Sequence, residues 1–234
     1  MSELFNAEKV LEACDRFLYF LKINLLFLLF NLPVLMFFLF QGISQVRTYL
    51  PFFLLCMIPA APALCAVFFS MNRLLHGIET TAWNDFKTGY TDSFGKKILL
   101  GAIQGIGILM FWTNVEFFLV QIPIFPLAVI FFILFAAVLL MTPNLYLLAS
   151  RYDMTVVDYI KGAVVLTVTK PILTLGNIAV IAFVLMLIEI KAGTFVLFMA
   201  SIYGFLIVFM NRNVVKILDE NAEKSKEKEG QKYE

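Results

Sequence analysis

One histidine and three cysteines leave this chain of 234 residues little with which to hold a metal. Cys56 and Cys65 sit nine residues apart in one apolar run, on opposite faces of any helix, and Cys14 and His76 stand alone, so no ligand-spaced cluster exists. Charge is scarce as well. Asp, Glu, Lys and Arg make up 15% of the residues, against about 25% in soluble domains. The net charge of +1 excludes the dominant basic surface that nucleic-acid binding requires. No GxxxxGK[ST] run is present to cradle a nucleotide phosphate. The apolar segments carry no aspartate pair and no Ser with a His base, so intramembrane hydrolysis lacks its parts. Neither an enzyme nor a cofactor is expected.

What fills the chain instead is apolar: 61% of the residues are hydrophobic and 26 are Phe, more than a soluble domain of this length can bury. The lipid bilayer is therefore the first partner. The pattern predicts an all-α polytopic membrane protein with six transmembrane helices, about 17–40, 52–71, 98–120, 127–148, 171–190 and 194–210, in a single domain spanning 1–210. A charged cytoplasmic tail follows over 211–234. The first apolar run is too long for a signal-peptide core, and the residues after it offer no small-residue cleavage site. Asn31-Leu-Pro33 predicts a kink in the first span, Pro59 and Pro62 a bend in the second, and Thr142-Pro143-Asn144 a break near the end of the fourth. Ala60, Ala61, Ala63 and Ala66, and the pair Gly101-x-x-x-Gly105, form small-residue surfaces suited to close helix packing. Of the 18 Lys and Arg, only Arg47 and Lys191 fall in the loops on one side. The basic excess on the other side places both termini in the cytoplasm.

The one long polar run between apolar segments is Asn72 to Lys97. Within it Trp83, Phe86, Tyr90 and Phe94 recur at helical spacing, predicting a short amphipathic cytoplasmic helix between spans 2 and 3. It is read either as an interfacial helix with its rings at headgroup level or as a docking helix that shows Asp85, Lys87 and Asp92 to a cytosolic partner. A similar element between spans 4 and 5 begins at the capping box Thr155-x-x-Asp158. Shifted by about 73 residues, Asp85 aligns with Asp158, Phe86 with Tyr159 and Gly89 with Gly162, the mark of an internal duplication.

Charge inside the membrane is costly, so intramembrane polar residues are where function is sought first. Glu116, Glu189, Arg47 and Lys191 converge on the outer side, as a neutralising cluster or a shallow polar vestibule. With Asn31 they form a candidate polar membrane cluster. Asn24, Asn31, Gln104, Asn114, Asn144 and Asn177 are expected mainly to join helices.

Lys22-Ile-Asn24, Asn31-Leu-Pro33, Pro62-Ala-Leu64, Arg73, Gly77, Glu79, Asp85-Phe86 and Phe94 together resemble the YesL family of bacterial membrane proteins, although Ile78 separates Gly77 from Glu79 where members run Gly-Glu. The similarity covers most of the first hundred residues. It implies a multi-pass protein of the bacterial cell membrane, of undefined biochemical activity, encoded near carbohydrate-utilisation genes. Joined to the loop pattern, it leads to a non-enzymatic accessory or regulatory component of carbohydrate uptake, with an ATPase or importer subunit as partner. Its docking loop would be built from Arg73, Gly77, Glu79, Trp83, Asp85, Phe86, Tyr90, Phe94 and Asp158. The alternative is a small-solute transporter or channel in its own right, suggested by the outer polar residues and the proline-broken helices.

Overall fold

The computed structural model describes residues 7–78, 81–190 and 196–230, and among these it contains helices and no strand. In chain order they are α1 (Ala7–Phe30), α2 (Leu32–Phe40), α3 (Leu50–Met57), α4 (Ala60–Leu75), α5 (Ala82–Thr91), α6 (Phe94–Glu116), α7 (Phe125–Arg151), α8 (Val156–Thr169), α9 (Pro171–Ile190) and α10 (Met199–Gly230).

Two of the expected spans are bent pairs. The chain turns by 69° between α1 and α2 and by 41° between α3 and α4. At the first bend Pro33 has no N–H to give, Asn31 leaves the helical region at φ −107°, ψ 25°, and its amide Nδ2 donates to Phe27 O at 2.8 Å. At the second, Pro59 stands between the two helices. α7 does not break as expected. It runs without interruption through Pro143, with Thr142 Oγ1 donating to Val138 O at 3.1 Å and neighbouring helices holding the segment in place.

The segments Phe94–Gln121, Phe125–Arg151 and Pro171–Ile190 are each long and apolar enough to cross a bilayer, and the bent pairs raise the number to five. Among the described residues the fold is thus all-helical, and three to five of its helices are long and apolar enough to cross a membrane, where the sequence suggests six spans. The sixth expected segment begins at residues outside those described. α10 is not among the qualifying helices, because its apolar part passes at Asn211 and Arg212 into a polar stretch.

α4 is the hub. Ala60, Ala61, Ala63, Cys65, Ala66, Val67, Phe68 and Met71 are all buried, and α1, α5, α6, α7 and α10 pack around it. Small residues set the distances. A Cβ on Gly101 of α6 would lie 2.7 Å from Ala61 Cβ, one on Gly204 of α10 2.4 Å from Val67 Cγ1, and one on Gly89 of α5 2.9 Å from Ala66 Cα. α5, α6 and α10 thus each approach α4 closely through a glycine, the kind of packing the alanine run predicts.

Polar residues join the helices elsewhere. Asn211 Nδ2 donates to Asn177 Oδ1 (3.0 Å), Asn177 Nδ2 to Asn144 Oδ1 (3.1 Å) and Asn144 Nδ2 to Thr167 Oγ1 (3.0 Å), linking α10, α9, α7 and α8. Gln104 Nε2 donates to Thr142 Oγ1 at 2.6 Å and accepts from the Tyr146 hydroxyl. Asn24 holds the start of α10, accepting from Ala200 N and donating to Val196 O, both at 2.8 Å. Asn31 and Asn114 bond carbonyls of their own helices instead.

Candidate functional site: a clamped helix at the basic end of the bundle

The site begins where α4 ends. His76 caps the helix, Gly77 takes φ 64°, Gly77 N donates to Leu74 O and Ile78 N to Arg73 O, both at 3.2 Å. This pair of bonds is a Schellman motif, and the left-handed residue it needs is most easily glycine. Gly77, a candidate docking residue, thus has a backbone role, and Ile78 supplies the second bond. Glu79 lies outside the described residues. Thr81 Oγ1 then accepts from Asn84 N at 3.4 Å and starts α5.

α5 buries Ala82, Asp85, Phe86 and Gly89, a stripe at i, i+3, i+4, i+7. The face predicted from the aromatic residues is therefore turned. Phe86 is fully buried and Tyr90 partly so, their rings packing with Phe30 at 5.4 and 4.5 Å, but Trp83 points outward at 52% exposure and Phe94 belongs to α6. Gly89 explains the rotation, because only the face without a side chain can approach α4 so closely.

Asp85, expected on the exposed face, is 3% exposed. Its Oδ1 lies 2.8 Å from Arg73 Nε of α4, an ion contact more than an aligned hydrogen bond, and Oδ2 accepts from the Tyr19 hydroxyl of α1 at 2.7 Å. The guanidinium also lies 5.8 Å from the centre of the Phe69 ring. At the other end of α5, buried Lys97 Nζ donates to Gly89 O at 2.9 Å, a cation set against C-terminal carbonyls. Ends and middle are thus both fixed. A carboxylate so enclosed is placed to latch three helices together and is out of reach of a substrate.

Above the latch, a groove of about 530 Å³ opens between α1 and the α4–α5 turn, lined by Arg16, Tyr19, Lys22 and Gly77 with the acids Glu12 and Asp15. Its charges are mixed, and Arg16 and Glu12 meet at 2.5 Å. Beside it, Lys22 and Trp83 border a smaller apolar groove with Leu25, Leu26 and Leu29, the pairing of basic and indole groups found at headgroup level. The outward side of α5 carries Trp83, Asn84, Lys87 and Thr88.

The second short helix is built differently. Asp158 is exposed and belongs to the cap of α8, where Thr155 Oγ1 donates to its Oδ2 at 2.6 Å and accepts from its N–H at 3.3 Å. It does not reproduce the buried latch of Asp85. Tyr159, like Phe86, is buried, and its hydroxyl donates to Tyr152 O and accepts from Met154 N. The turn between α5 and α6 is tied to the α7–α8 connection at Asp153, whose Oδ1 accepts from Lys96 Nζ (2.5 Å) and Ser93 Oγ (3.0 Å). These donors hold its carboxyl below the usual carboxylate range. Ser93 itself sits in the left-handed region at φ 46°.

Of the residues expected on the outer side, Arg47 Nε meets Glu116 Oε1 at 2.7 Å, with side chains 72% and 36% exposed. Glu189 is exposed near the end of α9, and Lys191 lies outside the described residues. Asn31 is buried and bonded within its own bend. Among the described members of the candidate polar cluster, Arg47 and Glu116 form a surface ion pair. Among the described residues no group of three or more His, Cys, Asp and Glu is placed to hold a metal.

Sequence reasoning missed Tyr19, Lys97, Ser93 and Asp153. Only Lys97 carried a signal, a basic residue following a helix end; the others meet their partners through tertiary packing.

Residues 20–115 match the sequence model of a family described as "Protein of unknown function, DUF624". The matched segment runs from within α1 into the end of α6 and contains Arg73, Gly77, Asp85, Phe86, Lys97 and the whole of α5. It leaves out Asp153 and Asp158. No curated protein and no solved structure matches the chain.

Proposed function

We propose that this protein is a six-span component of the bacterial cell membrane, with both termini cytoplasmic, that serves carbohydrate uptake as a non-enzymatic accessory or regulator. The observation that carries this reading is the construction of α5: its inner face is locked by the Asp85–Arg73–Tyr19 latch and by Gly89, while Trp83, Asn84, Lys87 and Thr88 are left outward. A helix held that firmly presents a fixed surface to the compartment holding the basic loops. The family match covers the segment over which the chain resembles the YesL proteins, and the uptake context rests on that resemblance. The role assigned to Asp85 and Phe86 changes accordingly: they position the surface, and an ATPase or importer subunit would meet Asn84, Lys87 and Thr88.

The conduit reading has less support. Of its outer acids Glu116 forms an exposed ion pair with Arg47, and α4 is closely packed by Gly89, Gly101 and Gly204.

Sugar uptake in cells carrying variants separates the two. Lys87→Glu with Asn84→Arg is expected to depress uptake at unchanged protein level, and Glu116→Gln with Glu189→Gln to leave it unaltered. The reverse pattern would favour a conduit.

A further inference from the structure

The two grooves beside α1 share Lys22 and run along one face of that helix. Glu12, Asp15, Tyr19, Lys22, Leu26 and Leu29 recur at alternating spacings of three and four residues, which sets them in a single stripe. The chemistry of the stripe changes in order. Two acids come first, then the lysine common to both grooves, then leucine. The first groove, of about 530 Å³, sets Glu12 and Asp15 against Arg16 and Lys22. The second, of about 290 Å³, is walled by Leu25, Leu26 and Leu29 on α1 and by Trp83 on α5. Leu25, Leu29 and Trp83 are each about half exposed.

An apolar groove open to its surroundings is favourable where hydrocarbon fills it, and α1 with α2 forms one of the bent pairs long and apolar enough to cross a bilayer. A lysine at its mouth lays its stem on the apolar wall and carries its ammonium toward the polar end, where a lipid phosphate lies. The charges beyond Lys22 are of both signs, so they suit a headgroup of both signs. Lys22 and Arg16 attract a phosphate, whereas Glu12 and Asp15 repel further negative charge and attract a cation. Glu12 already meets Arg16 at 2.5 Å, which assigns the cation to Asp15. From Lys22 to Asp15 is two turns of helix, about 10.5 Å along the axis, and an extended lysine stem shortens that gap. A primary ammonium donates hydrogen bonds to a carboxylate, and a quaternary one has no N–H to give.

We infer that the two grooves together hold one phospholipid of the phosphatidylethanolamine type. An acyl chain lies along Leu25, Leu26 and Leu29 against Trp83, the phosphate sits at Lys22 and the ammonium at Asp15. The site needs α1 to enter a bilayer and is independent of the accessory role, since Asn84, Lys87 and Thr88 stay outward.

The test uses the full chain with Trp112→Phe, which keeps a ring against Phe135 and leaves Trp83 as the one indole of the two in the sequence. The protein is reconstituted in phosphatidylcholine containing rising fractions of phosphatidylethanolamine or phosphatidylglycerol with brominated chains, and quenching of Trp83 fluorescence is read. Half-quenching is expected at an about threefold lower fraction of phosphatidylethanolamine than of phosphatidylglycerol, the scale of an exposed ion pair. Asp15 and Lys22 are both exposed, so their variants keep the fold, which an unchanged melting temperature verifies. Asp15→Asn is expected to abolish the preference, Asp15→Glu to retain it, and Lys22→Gln to weaken quenching by both lipids. Absence of quenching, equal quenching by the two lipids, a preference for phosphatidylglycerol, or a preference that survives Asp15→Asn overturns the site.

Discussion

Asp85 and Arg73 meet at 2.8 Å across the α4–α5 packing, and they differ in access to water: the aspartate side chain is 4% exposed and the arginine 28%. The pair is therefore asymmetric. Removing Arg73 takes the cation from a carboxylate that cannot reach solvent and keeps the Tyr19 hydroxyl, whereas removing Asp85 leaves a guanidinium that can turn outward. Arg73→Ala is expected to cost about 3 kcal/mol and Asp85→Ala less, with the double variant showing marked coupling. Thermal unfolding of the four proteins in detergent measures this. Strict additivity would mean that the contact contributes nothing.

Gly89 separates close approach from helix propensity. Its Cβ would lie 2.8 Å from Phe69 Cβ and 2.9 Å from Ala66 Cα, so Gly89→Ala must push α5 off α4, at about 1–3 kcal/mol. Gly107, with nothing within 4 Å of its would-be Cβ, gives the control. Gly107→Ala is expected to be neutral or stabilising by up to about 1 kcal/mol. Equal melting temperatures for the two variants would refute the packing argument.

Asn177 is the middle of the asparagine chain, donating to Asn144 and accepting from Asn211. Asn177→Leu takes the donor from Asn144 Oδ1 and one of the two acceptors from Asn211 Nδ2, which keeps Ile207 O. A loss of about 1–2 kcal/mol is expected, more than for Asn114→Leu, whose amide bonds only Met110 O of its own helix. Denaturation of both variants in one detergent provides the comparison.

Acid should loosen the tie between the α5–α6 turn and the α7–α8 connection. Asp153 has its carboxyl pKa depressed by the Lys96 and Ser93 donors, so its contribution is complete above the unfolded value of about 3.9 and disappears as pH falls through the lower folded value. The pair is exposed and the effect correspondingly small. Asp153→Asn should flatten the fall in melting temperature between pH 5 and 2, taken as approximate limits of that window. An unchanged pH profile would show that the tie carries no stability.

Much of this could be read from the sequence, because apolar runs, prolines and small residues act locally. The bend at Asn31-Leu-Pro33 and the cap at Thr155 and Asp158 follow from neighbours in the chain, and the sequence marks Ala61 and Gly101 as small contact faces without pairing them. The orientation of α5 does not. Trp83, Phe86, Tyr90 and Phe94 form a plausible stripe, but the buried face is decided by Gly89 against Ala66 and by a charge that is satisfied inside. A rule that puts Asp outward cannot foresee Arg73 and Tyr19 arriving from two other helices. Asn211, which the sequence places at the start of a charged tail, is buried for a like reason: Asn177 reaches it from α9. Pro143 likewise promised a break that tertiary packing prevents.

The most direct measurement is site-specific photo-crosslinking in intact cells growing on a sugar, with the probe at Lys87 on the outward face of α5 and, as control, at Ile106 on the exposed side of α6. A discrete adduct with an importer subunit or its ATPase from Lys87, absent from Ile106, is the expected result. No adduct from Lys87, together with sugar flux through liposomes that contain this protein alone, would contradict an accessory role.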